Sequence, residues 1–382
     1  MKTLFPYLLC LLLLSCSNDP VSMPKRPQDP TSYPYIQEEV TFTNPKAGNS
    51  LTGTLTTPSN GKVSKIVVLI TGAEPQDRNE EAKGLNHRPF LVWSDWLTRS
   101  GIAVLRYDDR GVGKSTGVFA KGTTSDFTDD AEAAVNYIHS RQDLNMLSIG
   151  LMGHSEGGVI ATMVASRNKL VSFICLLAGP GVTAYELMVQ QQRDQMQLSG
   201  ASAQDKNLMV SGMQKMFRTI HDNAKLSPSE LKRELDTLLY REFKNIPPPL
   251  LHGKSVDELV KITSSRYLSP WFKYYISLEP ADYLSKVKCP VLALNGTLDI
   301  VVESTTNLAA IKNALQKAGN NNHQEIALPG LNHLFQRAQT GALSEYPQIS
   351  ETVNPVALKI VSTWINKLKI VTPTQIAEHP DL

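Results

Sequence analysis

Short, unbroken apolar runs alternate with amphipathic stretches along most of the chain. The runs lie at residues 66–70, 102–107, 147–153 and 173–178, then, after a gap, at 291–294 and 324–328. A strand with no polar alternation is one buried on both faces, as in a parallel sheet covered by helices. The stretches between them carry helical signals. Residues 89–99 begin with Pro89 and stop before Gly101, and residues 125–141 follow the candidate N-caps Thr124, Ser125 and Asp126. An Ala-rich helix follows residue 155, another spans about 304–318 and closes at Gly319, and the last runs from Asn354-Pro355 to about Leu368. Residues 40–43 and 51–56, with Asn44, Pro45, Gly48 and Asn49 between them, predict an opening antiparallel pair. Regular alternation of strand and helix predicts an α/β fold with a mostly parallel, doubly wound sheet.

The alternation breaks at 181–270. That segment is rich in Gln, Met and Lys, keeps helical spacing and contains no convincing strand. Two capping boxes mark helix starts, Ser227-Pro228-Ser229-Glu230 and Ser255-Val256-Asp257-Glu258, and Pro247-Pro248-Pro249 separates them. The expectation is a helical cap at 181–270 inserted into a core made of 35–180 and 271–372.

The N-terminus has a different pattern. Lys2 precedes eleven mostly apolar residues, 4–14, too few to span a bilayer but suited to a secretory signal. The run ends Leu13-Leu14-Ser15-Cys16, similar to a bacterial lipoprotein cleavage box, so residues 1–15 are expected to be removed and Cys16 lipidated. Residues 16–34 carry five prolines among polar residues, a composition that stays extended as a tether. The chain is therefore expected to be exported and lipid-anchored, on the outer membrane facing the periplasm or at the cell surface. Across 382 residues the formal net charge is only +2. No basic run suggests nucleic acid, and near-neutrality says nothing about the substrate. Cys175 and Cys289 are expected as buried free thiols, and no Cys/His spacing reads as a metal site.

Candidate chemistry centres on Gly153-His154-Ser155-Glu156-Gly157, where an apolar strand enters a sharp turn and a helix leaves it. Gly113-Lys114-Ser115-Thr116-Gly117 fits the same expression, but it follows a polar loop and no helix continues it. Context selects Ser155. Nor is Gly113-Lys114-Ser115 a phosphate loop, because that motif needs a glycine where Asp108 stands. A structural turn tied down by Arg110 is the better account.

A serine hydroxyl is a weak nucleophile and needs a base oriented by a carboxylate. Of eight histidines, His87, His139 and His154 precede Ser155, His221 and His252 fall in the cap, and His379 lies in the tail. His323 begins a strand and so belongs at the far end of the sheet. His333 alone follows a late strand in a loop, and Asp299 holds the same place after the strand before it. The order Ser155, Asp299, His333 is the one this chemistry uses on such a sheet.

With these residues placed, the chain resembles the α/β-hydrolases over about 35–370, and more narrowly the EstD-like serine esterases near the serine aminopeptidase and prolyl-oligopeptidase branch. The matching pieces are Pro75-Gln76-Asp77-Arg78, the block from Tyr107 to Ser115, Gly153-His154-Ser155-Glu156-Gly157-Gly158, Asn295-Gly296-Thr297-Leu298-Asp299, and the block from Leu328 to Gln336. The resemblance implies a carboxylic ester hydrolase acting through an acyl-serine, without metal or cofactor. It implies an oxyanion hole formed by the backbone N–H of Glu156 and a second N–H from the loop after the third strand, assigned by position to Ala73. Relatives commonly carry Gly-Ser-Gly-Pro where this chain has Gly72-Ala73-Glu74-Pro75, so Glu74 either lines the pocket mouth or faces solvent. Two other readings remain: a serine peptidase or aminopeptidase of the same superfamily, and a non-catalytic binding lipoprotein on the same scaffold.

Overall fold

The apolar runs pair into a single sheet of eight strands, in a computed structural model that describes residues 26–369 apart from 60–62, 83, 84, 199, 201, 247–250 and 252. The leader, Cys16 and the three consecutive prolines lie outside the described residues. In chain order the strands are β1 (Tyr35–Thr43), β2 (Ser50–Pro58), β3 (Lys65–Ile70), β4 (Ala103–Tyr107), β5 (Ser148–His154), β6 (Val171–Leu177), β7 (Val291–Gly296) and β8 (His323–Leu328). Their spatial order is β1-β2-β4-β3-β5-β6-β7-β8. The opening pair is antiparallel, β2 joins β4 antiparallel, and every later pairing is parallel. The chain goes from β3 to β4 on one side and returns to β5 on the other. Strand order thus reverses between β3 and β5, and the crevice beyond the C-terminal ends of such strands is where this sheet type binds ligands.

Helices cover both faces because the central strands are apolar on both. On one face, α1 (Pro89–Arg99) and α11 (Pro355–Lys367) bury Phe90, Trp93, Leu97, Val361 and Ile365 against Val67, Leu69, Phe173, Leu292 and Leu294. Strand residues of the other parity, Val68, Ile70, Ile174 and Leu176 among them, are equally buried and point the other way. There α2 (Thr124–Ser140) and α3 (Glu156–Ala165) pack on each other, and α3 lies against β3, β5 and β6. The helix α2 starts one residue earlier than its spacing suggests, because Thr123 and Asp126 form a reciprocal capping box. Between β7 and β8 runs α10 (Ser304–Lys317).

The residues from Thr183 to Glu279 form a separate unit. It is helical among the described residues: α4 (Ala184–Leu198), α5 (Ala203–Asp222), α6 (Pro228–Phe243), α7 (Val256–Tyr267) and α8 (Pro270–Tyr275). Both expected capping boxes are present, at Ser227 with Glu230 and at Ser255 with Glu258. The unit extends nine residues beyond the expected limit of 270, because α8 is short and its aromatic residues carry no clear helical period. The short α9 (Pro280–Leu284) belongs to the sheet-bearing unit.

One expectation needs correction. The Pro-rich segment reads as a tether through residue 34, yet its described part is bound to the body. Arg26 is buried and donates to the carbonyl oxygens of Leu85 (2.6 Å), Asn86 (3.0 Å) and Ile349 (2.5 Å). The Gln28 amide donates to Val353 O at 2.6 Å and accepts from Thr352 N–H at 2.6 Å, while Asp29 pairs with Arg88. Proline content describes the backbone's stiffness, but a few polar side chains aimed at free carbonyls are enough to fasten it. Replacing Arg26 by Ala is expected to lower stability by about 1–3 kcal/mol, the usual range for removing a buried charged donor, as a drop in the urea midpoint with unchanged slope.

Candidate functional site

The turn between β5 and α3 is tight because its neighbours have no side chains. A Cβ on Gly153 would overlap the backbone of Gly157, and one on Gly157 would overlap the carbonyl oxygen of Ile70 at the end of β3. Strand, helix and neighbouring strand can therefore converge on Ser155, which has φ 53° and ψ −121°. That left-handed backbone costs a non-glycine residue about 1–2 kcal/mol. It is held by Ser155 N–H donating to Leu177 O at 2.9 Å and Gly158 N–H donating to Ser155 O at 2.9 Å. Ser155 is not alone in this. Among the described residues six non-glycine residues have positive φ (Glu74, Glu80, Asn86, Ser155, Ala178 and Phe335), and all follow β3, β5, β6 or β8. Such backbone persists only where surrounding structure over-determines it, and it concentrates at functional sites.

Asp299 and His333 meet at 2.8 Å, Asp299 Oδ2 to His333 Nδ1. The strand β7 ends at Gly296 and β8 at Leu328, so both residues hang from adjacent strand ends. The other carboxylate oxygen of Asp299 accepts from Val301 N–H and Val302 N–H, each at 2.8 Å. One carboxylate thus closes its own Asx turn and grips the histidine. That grip places the proton on Nδ1 and leaves the Nε2 lone pair to act as a base. The loop of His333 is fixed by Asn332, whose side-chain oxygen accepts from Leu334 N–H and Gln336 N–H, and by Asn354 N–H donating to Phe335 O. Among the described residues no hydrogen bond joins Ser155 Oγ to His333; in the absence of substrate such bonds are often long.

After β3 the chain passes directly beside the serine. A Cβ on Gly72 would lie 3.3 Å from Ser155 Cβ, which brings the segment carrying Ala73 to the nucleophile's side. Two carboxylates hold this loop, Glu80 buried and Asp109 partly so. Asp109 accepts from the Thr71 hydroxyl and from Gln76 N–H, each at 2.9 Å, and burial pushes its carboxyl well above the usual range. Glu80 accepts from Gly72 N–H at 2.9 Å. Glu74 has φ 79°, a backbone that glycine adopts without strain. Glu156 opens α3, where the first N–H groups have no acceptor within the helix. Its side chain is buried and accepts from the Thr124 hydroxyl at 2.6 Å.

The second Gly-x-Ser-x-Gly is structural. Ser115 Oγ donates to Asp108 O at 2.7 Å and accepts from Thr52 N–H at 2.9 Å. Arg110 binds the Asp130 carboxylate at 2.6 Å and the Asp126 carbonyl at 2.7 Å. Sequence reasoning passed over His154 and Glu80. His154 lies between Glu80 Oε1, 2.9 Å from Nδ1, and the backbone oxygen of His333, 3.0 Å from Nε2. Its position one residue before the nucleophile was the available signal.

A strained serine at a strand-to-helix turn, a histidine paired with a carboxylate at neighbouring strand ends, and a doubly braced loop at the switch point of a parallel sheet are the parts of one fold. The chain has the α/β-hydrolase fold. A serine aminopeptidase (S33) family model matches residues 90–237 of the chain. Esterase EstD of Thermotoga maritima is 25% identical over 293 residues, covering 75% of this chain and 58% of that protein. The uncharacterized protein YfhR of Escherichia coli K12 is 29% identical over 160 residues, 41% of this chain and 52% of that one. The chain thus spans little more than half the length of these curated relatives. The solved esterase Pf2001 of Pyrococcus furiosus superposes with a TM-score of 0.51 at 15% identity, covering 91% of this chain and 98% of its own, a likeness of fold.

His87, one of the discarded histidines, has a structural consequence. It is buried, and its Nε2 lies 2.9 Å from Thr352 O. Burial outweighs that bond and lowers its pKa from 6.5 to about 4. Between those values the unfolded chain binds more protons than the folded one, so stability present above pH 6.5 drains away as pH falls toward 4. At pH 5 the loss attributable to His87 is about 2 kcal/mol. Urea midpoints at pH 7 and pH 5 should differ accordingly, and His87→Gln should remove this share of the difference.

Proposed function

We propose that this chain is a serine hydrolase cleaving carboxylic esters through an acyl-serine intermediate. The observation that carries the reading is the joint placement of a strained Ser155 at the end of β5 and the 2.8 Å Asp299–His333 pair at the ends of β7 and β8. Ser155 Oγ attacks the ester carbonyl while His333 Nε2 takes its proton, and Asp299 holds the ring in the tautomer this needs. Negative charge developing on the carbonyl oxygen is met by the N–H groups of Glu156 and Ala73. His333 then gives the proton to the departing alcohol, and water, activated by the same base, releases the acid from Ser155. The resemblance to EstD favours an ester as substrate. Ser155→Ala should lower kcat for p-nitrophenyl butyrate on the order of 10⁶-fold, and a folded variant retaining a tenth of wild-type activity would refute the assignment.

The match to the serine aminopeptidase model favours a second reading, a peptidase using the same three residues. Comparing p-nitrophenyl esters with aminoacyl anilides separates the two, and faster anilide turnover would reverse the ranking.

We also propose that the enzyme works outside the cytoplasm on a lipid anchor at Cys16. In cells fed a labelled fatty acid the wild-type protein should carry label, and Cys16→Ala should abolish it. Labelling of the variant would exclude Cys16 as the anchor.

A further inference from the structure

The residue before the nucleophile is occupied in a way the hydrolytic mechanism does not use. The His333 carbonyl can only accept, so His154 Nε2 must carry a hydrogen to make its 3.0 Å contact. On the other side Nδ1 faces Glu80 Oε1 at 2.9 Å, and the same oxygen already accepts from Gly72 N–H. An imidazole protonated on Nε2 alone would set its Nδ1 lone pair against an oxygen lone pair. The contact therefore needs a second hydrogen, and the pair is an imidazolium against a carboxylate, both buried.

We propose that His154 and Glu80 form a positioning pair, holding one proton of their own, that ties the base loop and the oxyanion loop to the nucleophile elbow. The inference rests on the hydrolase reading above, since it assigns the pair a purpose in that reaction. His154 is joined by a peptide bond to Ser155, grips the loop of His333 through that residue's carbonyl, and reaches the strand end beside Ala73 through Glu80 and Gly72. Three loops of the reaction site thus meet on one ring. Glu80 is held at φ 54°, a conformation that brings its carboxylate back beneath its own loop.

The surroundings favour keeping that proton. Burial alone would lower the His154 pKa, but the Glu80 charge, its hydrogen bond and the His333 carbonyl outweigh it, and the net shift is upward. The charged and titratable groups around the ring are Glu80 from the loop after β3, His333, whose tilted ring is centred 4.7 Å away with Asp299 behind it, and His87 from the segment before α1. Asp109 acts on Glu80 from the end of β4. The remaining wall is apolar, formed by Pro89, Phe90, Trp93, Leu177, Leu334 and Phe335, and supplies no other hydrogen-bond partner for the ring. When the extra proton leaves, the ring loses either Glu80 or the His333 carbonyl, and the base loop loosens.

The test compares wild type with Glu80→Gln across pH 5–10 on a p-nitrophenyl ester. A glutamine oxygen at this spot can keep Gly72 but gives an imidazolium no countercharge, and a glutamine NH₂ opposes the Gly72 N–H. With the ring neutral one bond is lost, and with the ring charged the bonds remain but the countercharge does not. The expected result is a fall in kcat on the order of 10²-fold, the cost of a displacement near 1 Å, with KM nearly unchanged. The alkaline limb of the wild-type profile should move to lower pH. A folded Glu80→Gln enzyme whose profile and kcat superpose on wild type would overturn the proposal, as would a change confined to KM. A second measurement needs no variant at position 80. In ¹⁵N-histidine-labelled Ser155→Ala protein at pH 8, one buried ring should show both nitrogens protonated, and finding none overturns the pair. Because this readout needs no turnover, the result is independent of whether Ser155 is the nucleophile.

Discussion

Everything at this site depends on the backbone of one residue. Ser155 has a left-handed conformation because β5 and α3 converge more closely than any side chain at Gly153 or Gly157 would allow. The closeness has two results. The hydroxyl is carried off the end of the sheet, and the start of α3 is brought beside the end of β3. The proposed nucleophile and the segment proposed to bind the oxyanion are therefore set by a single packing event. The cost is distributed: the N–H of Ser155 is bonded to β6, and β6 in turn bonds to β7, whose end carries Asp299. Strain at the elbow is offset by a sheet that cannot shift one strand without disturbing the next.

Much of this was legible in the residues. Unbroken apolar runs located the parallel strands because a strand buried on both faces leaves no room for polar alternation. The positions after those runs then pointed to Asp299 and His333, since a parallel sheet gathers its strand ends on one edge. What could not be read was lateral. Nothing in the run of letters says that Glu80 folds back to Gly72 and His154, or that Arg26 reaches carbonyls near residues 85 and 349, because these contacts join positions with no shared period. The segment 26–34 was misjudged for that reason: composition predicted its stiffness, and only geometry could supply its partners. The boundary of the helical unit slipped past 270 because α8 is about a turn and a half long, too short for periodicity to register.

The buried polar groups of the core follow one logic. Glu80, Asp108, Asp130 and Asp299 are withdrawn from water and Asp109 is partly so, and each is engaged by several donors. An unpaired carboxylate in such a place would be costly, and losing one partner of a pair is costlier than never having had it. Their targets are loop N–H groups and arginines at the strand ends, so the charges do little for the hydrophobic core and much for the shape of the loops above it. Asp108 with Arg78, and Asp130 with Arg110, hold the turn that resembles a second elbow. Asp109 and Glu80 hold the loop next to the first.

His154 illustrates why proximity in sequence is a poor guide to partnership. It is the histidine nearest Ser155 along the chain, and for that reason it cannot be the base. A residue at the end of a strand and its neighbour point to opposite faces, so the turn that lifts the serine out buries the histidine beneath it. Both ring nitrogens are then taken, one by Glu80 and one by the backbone of His333. The histidine proposed as the base, His333, is 178 positions away, on a loop whose own carbonyl rests on the buried ring. Two histidines whose ring centroids lie 4.7 Å apart thus differ by environment: Nδ1 of His333 faces the Asp299 carboxylate, and His154 lies between two acceptors, Glu80 and the His333 carbonyl. Under the proposed mechanism the same side chain serves as base or as brace according to what faces its nitrogens.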